Sequence, residues 1–94
     1  DRKIAIRFRP IGGAPALVNV GLCRISANER WSAVIKFLSR RLLPSRDRNR
    51  TETVFCYIAN SFAPSPDSQV GNVFDSYQID DELMVSYCLV QAFG

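Results

Sequence analysis

Apolar and polar residues alternate near both ends of the chain, as they do in strands with one buried face. The alternation covers residues 3 to 9 and residues 83 to 88, and a period of two places the apolar members on one side of a pleated strand. Those members are Ile4, Ile6 and Phe8 in the first stretch and Leu83, Val85 and Tyr87 in the second. The pattern predicts a strand near each end of the chain.

Two further strands are predicted between them. The first lies within residues 17 to 25, where the alternation changes phase and a bulge near Gly21 would account for the shift. A Pro- and Gly-rich segment, residues 10 to 15, joins it to the first strand and favours an antiparallel hairpin. The other strand, residues 54 to 59, is apolar on both faces, as a central strand would be.

A long amphipathic helix is predicted to follow the hairpin. Its apolar stripe has helical spacing and consists of Trp31, Val34, Ile35, Leu38 and Leu42. Ser26, with Glu29 three residues later, has the spacing of a capping box, and Asn28 is an equally good cap. Pro44 is expected to end the helix. Trp31 is interpreted as a core residue.

A shorter second helix is predicted after residue 65. Ser65 is expected to cap it, with Pro66 at its first position, and its apolar stripe is Val70, Val73, Phe74 and Tyr77. Phe62 precedes the cap, where an aromatic ring either staples the helix to the sheet or serves as an exposed anchor for a partner. Residues 80 to 82 are acidic and are expected to form a turn into the last strand.

The predicted order is therefore strand, strand, helix, strand, short helix, strand in one domain, residues 1–94. With the first and last strands parallel in the middle of the sheet, this order gives an α+β fold, the ubiquitin-like β-grasp roll. Its four-stranded mixed sheet is covered by one long and one short helix. The start of a ferredoxin-like fold would show a similar pattern. Residues 45–53 are predicted to be a mobile Arg-rich loop, and about 89–94 a C-terminal tail.

Charge is divided unevenly along the chain. Residues 1 to 50 hold all twelve basic residues and three acids, whereas residues 51 to 94 hold six acids and no base. The two halves therefore attract one another and predict basic and acidic surfaces on one body, which suits protein partners. Aromatic and basic residues are not interleaved as in RNA-binding domains, so no nucleic-acid partner is expected.

The sequence offers little for catalysis. It has no histidine, no glycine-rich phosphate loop and no nucleophile elbow, so an enzyme is not expected. The three widely spaced cysteines favour reduced, buried thiols in an intracellular protein over a disulfide or a metal site. No segment has the length and apolarity of a membrane span. Because the chain opens at Asp1 without a methionine, we expect a longer N-terminal region to precede it.

The chain ends on Gly94, directly after the last predicted strand. A glycine at the end of a chain usually has no special role, because chain ends are commonly poorly ordered. Here it would place a free carboxylate on a short arm beside a rigid body, without a Cβ to crowd the carbonyl. That geometry suits a protein whose own C-terminus is the reacting group.

Four segments resemble one family closely. They are KIAIRFRPIG, WSAVIKFLSRRL, VFCYIANSFAPSPD and DELMVSYCLVQAFG, and together they resemble the ubiquitin-like modifier of autophagy, with fungal members the most similar. The likeness covers nearly all of residues 3 to 94, and only the Arg-rich loop looks like an insertion.

The resemblance implies a covalent relay through Gly94. A separate activating enzyme would adenylate its carboxylate with ATP, the only cofactor in the scheme, and pass it as a thioester to a conjugating enzyme. A lysine of an acceptor protein would then take it as an isopeptide. Ala92 and Phe93 would be read by those enzymes. No protease is needed to expose the glycine if Gly94 is the natural end.

Further residues and the setting are implied by the same resemblance. Phe62 and Asn60 match positions that help the finished conjugate promote lipid attachment of a second ubiquitin-like protein, and Tyr57, Lys36 and Lys3 match further partner-binding positions. The resemblance implies a cytoplasmic protein recruited to the preautophagosomal membrane only through its conjugate, which would have a ligase-like scaffolding role. The alternative is an unconjugated ubiquitin-like module that binds proteins through its charged faces.

Overall fold

The structure, a computed structural model, describes residues 2–17, 22–43, 52–59 and 62–91. Four strands and two helices lie in this part of the chain. Their bounds are Lys3–Pro10 for β1, Cys23–Ser26 for β2, Trp31–Leu42 for α1, Glu52–Ile58 for β3, Val70–Tyr77 for α2 and Leu83–Gln91 for β4. The order of elements is the predicted one.

The four strands form one mixed sheet with β1 and β4 in its centre. The strand order is β2-β1-β4-β3, with β1 parallel to β4 and the two outer strands antiparallel to their neighbours. The parallel register runs from Ile6 opposite Leu83 to Pro10 opposite Tyr87. The predicted β-grasp arrangement, with its first and last strands side by side, is confirmed.

One face of the sheet, called here the inner face, packs against both helices. Trp31 is only 1% exposed, and Leu83, Val85 and Tyr87 of β4 are fully buried. The core also takes in residues of β1, α1, β3 and α2, which are Ile4, Ile6, Val34, Leu38, Val54, Cys56, Ile58, Val70 and Val73, and Ile25 of β2 packs half-buried against it. The alternation predicted for β1 and β4, and the core position of Trp31, are therefore confirmed.

The second strand lies at the end of the range in which it was predicted and continues one residue beyond it. β2 begins at Cys23, and Leu17 belongs to the loop that precedes it. Ile6 pairs with Cys23 and Ile4 with Ile25, so the phase after the predicted shift is the one that the sheet uses. The bulge predicted near Gly21 lies outside the described residues.

Neither helix has the predicted cap, because each is capped by the turn before the other. α1 begins after Arg30 and α2 after Gln69, without a side-chain cap bond. Trp31 and Ser32 donate their N–H groups to the carbonyls of Ser68 and Pro66, at 2.7 and 3.0 Å. In return, the first two N–H groups of α2 reach the turn before α1. Backbone carbonyls thus cap both helices in place of the predicted side chains of Ser26, Asn28 and Ser65.

In α2 the two donors to that turn are Val70, which bonds to Glu29 O at 2.8 Å, and Gly71, which bonds to Ala27 O at 2.9 Å. Gly71 is buried, and a Cβ at this position would lie 2.9 Å from Ala27 Cβ. The close approach of α2 to residue 27 therefore requires glycine.

Two predicted boundaries are wrong. β3 begins at Glu52, so residues 52 and 53 of the predicted loop belong to a strand, and residues 45–51 lie outside the described residues. β4 continues to Gln91, so residues 89–91 are strand and not tail. Hydrogen bonding between the two strands extends both of them, since Glu52 pairs with Gln91 at the end of the ladder. Pro44 also lies outside the described residues.

A two-residue turn connects α2 to β4 at the acidic positions. Ile79 and Glu82 exchange both backbone hydrogen bonds, at 2.9 and 3.0 Å, around Asp80 and Asp81. Both central residues have positive φ, 53° and 63°, a conformation that Asp tolerates better than most residues. The turn predicted at residues 80 to 82 is therefore present one residue earlier, and it reverses the chain into the central strand.

Candidate functional site

The predicted conjugation tail follows a central strand. β4 is held by β1 on one side and by β3 on the other, and its ladder with β3 reaches Gln91. Ala92, Phe93 and Gly94 lie outside the described residues. Three residues remain after the ladder, and a fully extended chain of that length spans about 10 Å. Gly94 therefore lies at most about 10 Å from Gln91, the last residue of the ladder.

Phe62 lies on the surface at the end of β3. Its ring is 42% exposed and stacks on Tyr77 of α2, with 5.2 Å between ring centroids. Its backbone exchanges hydrogen bonds with Ile58 at 2.7 and 3.0 Å, and Ala59, between them, has a φ of 54°. Both interpretations of Phe62 therefore apply in part, since the ring contacts the second helix and stays accessible. Asn60 lies outside the described residues.

Tyr57 lies on the outer face of the sheet, the face opposite α1. It pairs with Ser86 of β4, and its ring stacks on Phe55 with 6.5 Å between centroids. Because Phe62 pairs with Ile58, the residue after Tyr57, the two predicted partner-binding aromatics come from the same end of β3.

Lys3 and Lys36 lie away from that end. Lys3 is exposed near the start of β1, six residues before Arg9, which is level with Ser86 and therefore with Tyr57. Six strand residues correspond to about 20 Å. Lys36 is exposed on α1, the helix that covers the inner face. The structure thus places Tyr57 and Phe62 at one end of β3, and it does not bring the two lysines to that end.

Arg7 and Arg2 of the basic half form ion pairs with acidic residues of the other half. Arg7 donates to both carboxylate oxygens of Glu82, from Nε to Oε1 at 2.9 Å and from Nη2 to Oε2 at 3.0 Å. Arg2 donates from Nη1 to Asp75 Oδ1 at 3.0 Å. The hydrogen bond from Arg7 lowers the pKa of Glu82 below its ordinary value, and the positive charges of Arg7 and Arg24 act in the same direction.

The thiols of Cys23 and Cys56 are poor nucleophiles and poor metal ligands. Burial raises the pKa of Cys56 to about 12 and also raises the pKa of Cys23, so both thiols stay protonated near neutral pH. Within the described ranges, no three His, Cys, Asp or Glu residues cluster as metal ligands would. No helix in those ranges is both long and apolar enough to cross a bilayer.

A groove between α2 and β4 was not predicted from the sequence. It is called here the α2–β4 groove, has a volume of about 440 Å³, and opens on the outer face. Arg9, Ala59, Tyr77, Ile79, Met84 and Ser86 line it, with three neighbouring residues. The sequence signal that could have indicated this groove is Ile79. It is an aliphatic residue directly before three acids, and such a residue at a turn is often exposed.

Comparisons with known proteins are consistent with the fold described above. The family described as ubiquitin-like autophagy protein Apg12 matches residues 3–94. "Ubiquitin-like protein ATG12" of Eremothecium gossypii is 47% identical over 92 residues, 98% of this chain and 44% of that protein. The protein of the same name from Vanderwaltozyma polyspora is 45% identical over 98% of this chain and 40% of its own length. The chain thus spans less than half the length of these relatives.

A solved structure supports the fold independently. The crystal structure of Trypanosoma brucei ATG8 superposes with a TM-score of 0.78 over 98% of this chain and 77% of that one, at 13% identity. At this identity the likeness concerns the β-grasp fold alone. Family membership rests on the full-length family match and on the fungal relatives. This chain belongs to the Apg12 family of ubiquitin-like autophagy proteins.

Proposed function

We propose that this chain is a protein modifier of autophagy that is joined through the carboxyl group of Gly94 to a lysine of a partner protein. Membership of the Apg12 family is the observation that carries the proposal. The course of β4 supports it, because the strand is paired on both sides as far as Tyr87 and with β3 as far as Gln91. A tail of three residues then follows a rigid body, and its last residue has no Cβ to obstruct a narrow channel.

The proposed reaction consists of one adenylation followed by three acyl transfers, and each step balances. The Gly94 carboxylate attacks the α-phosphorus of ATP on the activating enzyme, and pyrophosphate leaves. A cysteine thiolate of that enzyme then displaces AMP to form a thioester, which a second thiolate, on the conjugating enzyme, takes over. Finally the acceptor's lysine amine attacks the thioester carbonyl, the thiolate leaves, and the amine loses a proton to give the isopeptide. This chain supplies only the electrophile, so ATP binds to the partner enzyme.

The remaining site residues are proposed to serve recognition. Ala92 and Phe93 are read by the two enzymes. Tyr57, Asn60 and Phe62, at one end of β3, act in the finished conjugate, which promotes lipid attachment of a second ubiquitin-like protein. Lys3 and Lys36 contact partners on separate surfaces. The chain then works in the cytoplasm and reaches the preautophagosomal membrane through its conjugate.

The test is an ATP-dependent covalent adduct. The chain and a version lacking Gly94 are incubated in a fungal lysate whose own modifier has been deleted, with and without ATP, and adducts are read on reducing denaturing gels. We expect a shifted band that needs ATP and Gly94 and resists thiol reductant, since an isopeptide does and a thioester does not. The lysate's own modifier, added back, is the positive control.

The opposite result is equally clear. If neither version forms an adduct in a lysate that conjugates its own modifier, the covalent proposal fails. The chain would then be a docking module whose binding to partners does not depend on Gly94. Mass spectrometry of a positive band, after chymotrypsin cleavage behind Phe93, identifies the acceptor and its lysine through the Gly remnant left on the lysine amine.

A further inference from the structure

The second half of α1 presents only basic charge to solvent. Lys36, Arg40 and Arg41 are exposed there, about one helical turn apart, and the sequence of α1 contains no acidic residue. No acidic residue in the described ranges pairs with any of the three, since the ion pairs of Arg2 and Arg7 are made elsewhere. These three residues are called here the basic end of α1. Their positive field is open to an anionic partner.

An uncharged loop lies beside the basic end. It follows β1, and residues 11–17, called here the apolar loop, have the sequence IGGAPAL. Pro15 and Ala16 are exposed in it. The two features meet at Arg41, which borders two shallow depressions. One depression is lined by Ala33, Lys36, Phe37 and Arg40, and the other by Pro15, Ala16, Leu17 and Leu42.

Both features are held in place by the core. The Tyr87 hydroxyl donates to the carbonyl of Pro15 at 2.6 Å, and the N–H of Ile11 donates to the carbonyl of Tyr87 at 2.9 Å. The guanidinium of Arg41 lies over the Phe37 ring, 5.3 Å from its centroid. A guanidinium keeps its N–H donors in one plane, where they suit phosphate and carboxylate oxygens. The loop and the bases are therefore presented together before any partner binds.

This combination favours a lipid surface over an acidic protein. A layer of anionic headgroups attracts basic residues without requiring a fixed arrangement of partner groups. A protein interface is instead usually anchored by bulky side chains in well-packed pockets, and the two depressions at Arg41 are open to solvent. Small aliphatic residues beside basic ones suit the boundary between headgroups and acyl chains, where apolar groups leave water while charges stay among the phosphates.

We propose that the basic end of α1 and the apolar loop form a contact surface for an anionic membrane. The bases meet the headgroup phosphates, and Pro15 and Ala16 enter the interface. The contact goes beyond the modifier function, in which the conjugate brings the chain to the membrane, because it needs neither Gly94 nor a conjugate. It would also orient the domain, since Gln91 lies only four residues, about 13 Å, along β4 from the Tyr87 that holds the loop.

The experiment measures co-sedimentation of the unconjugated chain with vesicles. One set contains equal parts of phosphatidylcholine and phosphatidylserine, and the other contains phosphatidylcholine alone. The test variant combines Arg40→Gln with Arg41→Gln. The matched control combines Arg2→Gln with Arg30→Gln, which removes the same charge from residues that contact α2 and the turn before it. Thermal unfolding verifies the fold of each variant.

We expect the chain to sediment with the phosphatidylserine vesicles and not with phosphatidylcholine alone. The test variant should lose about fivefold in partitioning for each charge removed, the usual contribution of one basic residue near an anionic surface. The control variant should bind nearly as the unsubstituted chain does. Added salt should weaken binding of the unsubstituted chain, because it screens the attraction.

A second measurement asks whether the apolar loop itself meets the bilayer. Trp31 is the only natural tryptophan and is 1% exposed, so an added tryptophan reports on its own position. Ala16→Trp should bind the phosphatidylserine vesicles more tightly and its emission should shift to the blue, because tryptophan favours the membrane interface. Asn72→Trp, at an exposed position of α2, is the control and should show no shift.

Three outcomes would overturn the proposal. They are no binding to the phosphatidylserine vesicles, equal losses in the test and control variants, and no shift in the emission of Ala16→Trp. If polyglutamate bound the unsubstituted chain but not the test variant, while vesicles did not bind, the surface would belong to an acidic protein instead. Because no arm of the experiment involves ATP or Gly94, its failure would leave the conjugation proposal untouched.

Discussion

The inner and outer faces of the sheet are made by alternate residues of the same strands, yet they differ in almost every physical respect. On β4, Leu83, Val85 and Tyr87 of the inner face are fully buried, whereas Met84 and Val90 of the outer face are 40% and 45% exposed. The inner face is covered by two helices and is almost entirely apolar. The outer face carries stacked rings, the Arg7–Glu82 pair and the α2–β4 groove.

The difference teaches where stability and recognition reside in a small domain. A chain of this length has one core, so the residues that hold it together must lie on one face of the sheet. The other face is then available for binding at little cost to folding. Substitutions on the two faces should therefore separate these two properties.

The sharpest test uses two neighbours on β4. Leu83→Ala removes a fully buried side chain and should lower the free energy of unfolding by about 2–5 kcal/mol. Met84→Ala, one residue later on the outer face, should change it by less than about 0.5 kcal/mol, as exposed positions do. Urea unfolding followed by far-UV circular dichroism measures both. Similar losses for the two variants would contradict the division between the faces.

The second test concerns the contact between α2 and the turn before α1. Gly71→Ala places a Cβ 2.9 Å from Ala27 Cβ and 3.0 Å from Ala27 O, where backbone must shift. We expect a loss of about 1–3 kcal/mol, the usual cost of overpacking, since the reciprocal backbone caps of both helices are strained together. Asn72→Ala, at the exposed neighbouring position, is the control. Equal stability of the two variants would mean that the helices can separate without loss.

The smallest expected effect is the pH dependence of the Arg7–Glu82 pair on the outer face. Because the folded-state pKa of Glu82 is lowered, its contribution to stability is present above the ordinary range of a carboxyl group and is lost as the pH falls through the lowered value. The stability advantage of the natural chain over Glu82→Gln should therefore shrink between about pH 7 and about pH 3. Parallel urea denaturation curves for the two proteins, at both pH values, measure it. An unchanged advantage would show that the pair does not titrate in this range.

The sequence predicted the inner face far better than the outer one. Burial of one face of a strand or helix produces a periodic pattern of apolar residues. The alternation in β1 and β4 and the apolar stripe that contains Trp31 are such patterns. The predicted caps are wrong because carbonyls distant in sequence take their place: those of residues 66 and 68 replace Ser26 or Asn28 at α1, and those of residues 27 and 29 replace Ser65 at α2. Local patterns cannot reveal a partner that the tertiary fold supplies.

The candidate site was predictable where it is continuous in sequence. Tyr57 and Phe62 come from one segment, and the structure places both at one end of β3. The groove brings residue 9 of β1 together with residues from positions 58 to 86, so no local motif marks it. Resemblance supplied the roles of Tyr57, Phe62, Asn60, Ala92 and Phe93, and it agreed with the terminal position of Gly94. All of these roles stay predictions.

The parallel pairing of β1 with β4 has a consequence for synthesis. β1 leaves the ribosome before the other strands of this domain, and its central neighbour is the last of them, so the sheet cannot close until β4 has been made. A fragment that stops before residue 83 leaves β1 and β3 without the strand between them and exposes their edges. Folding of the domain therefore depends on complete synthesis of β4, and a product without this strand stays open to proteolysis.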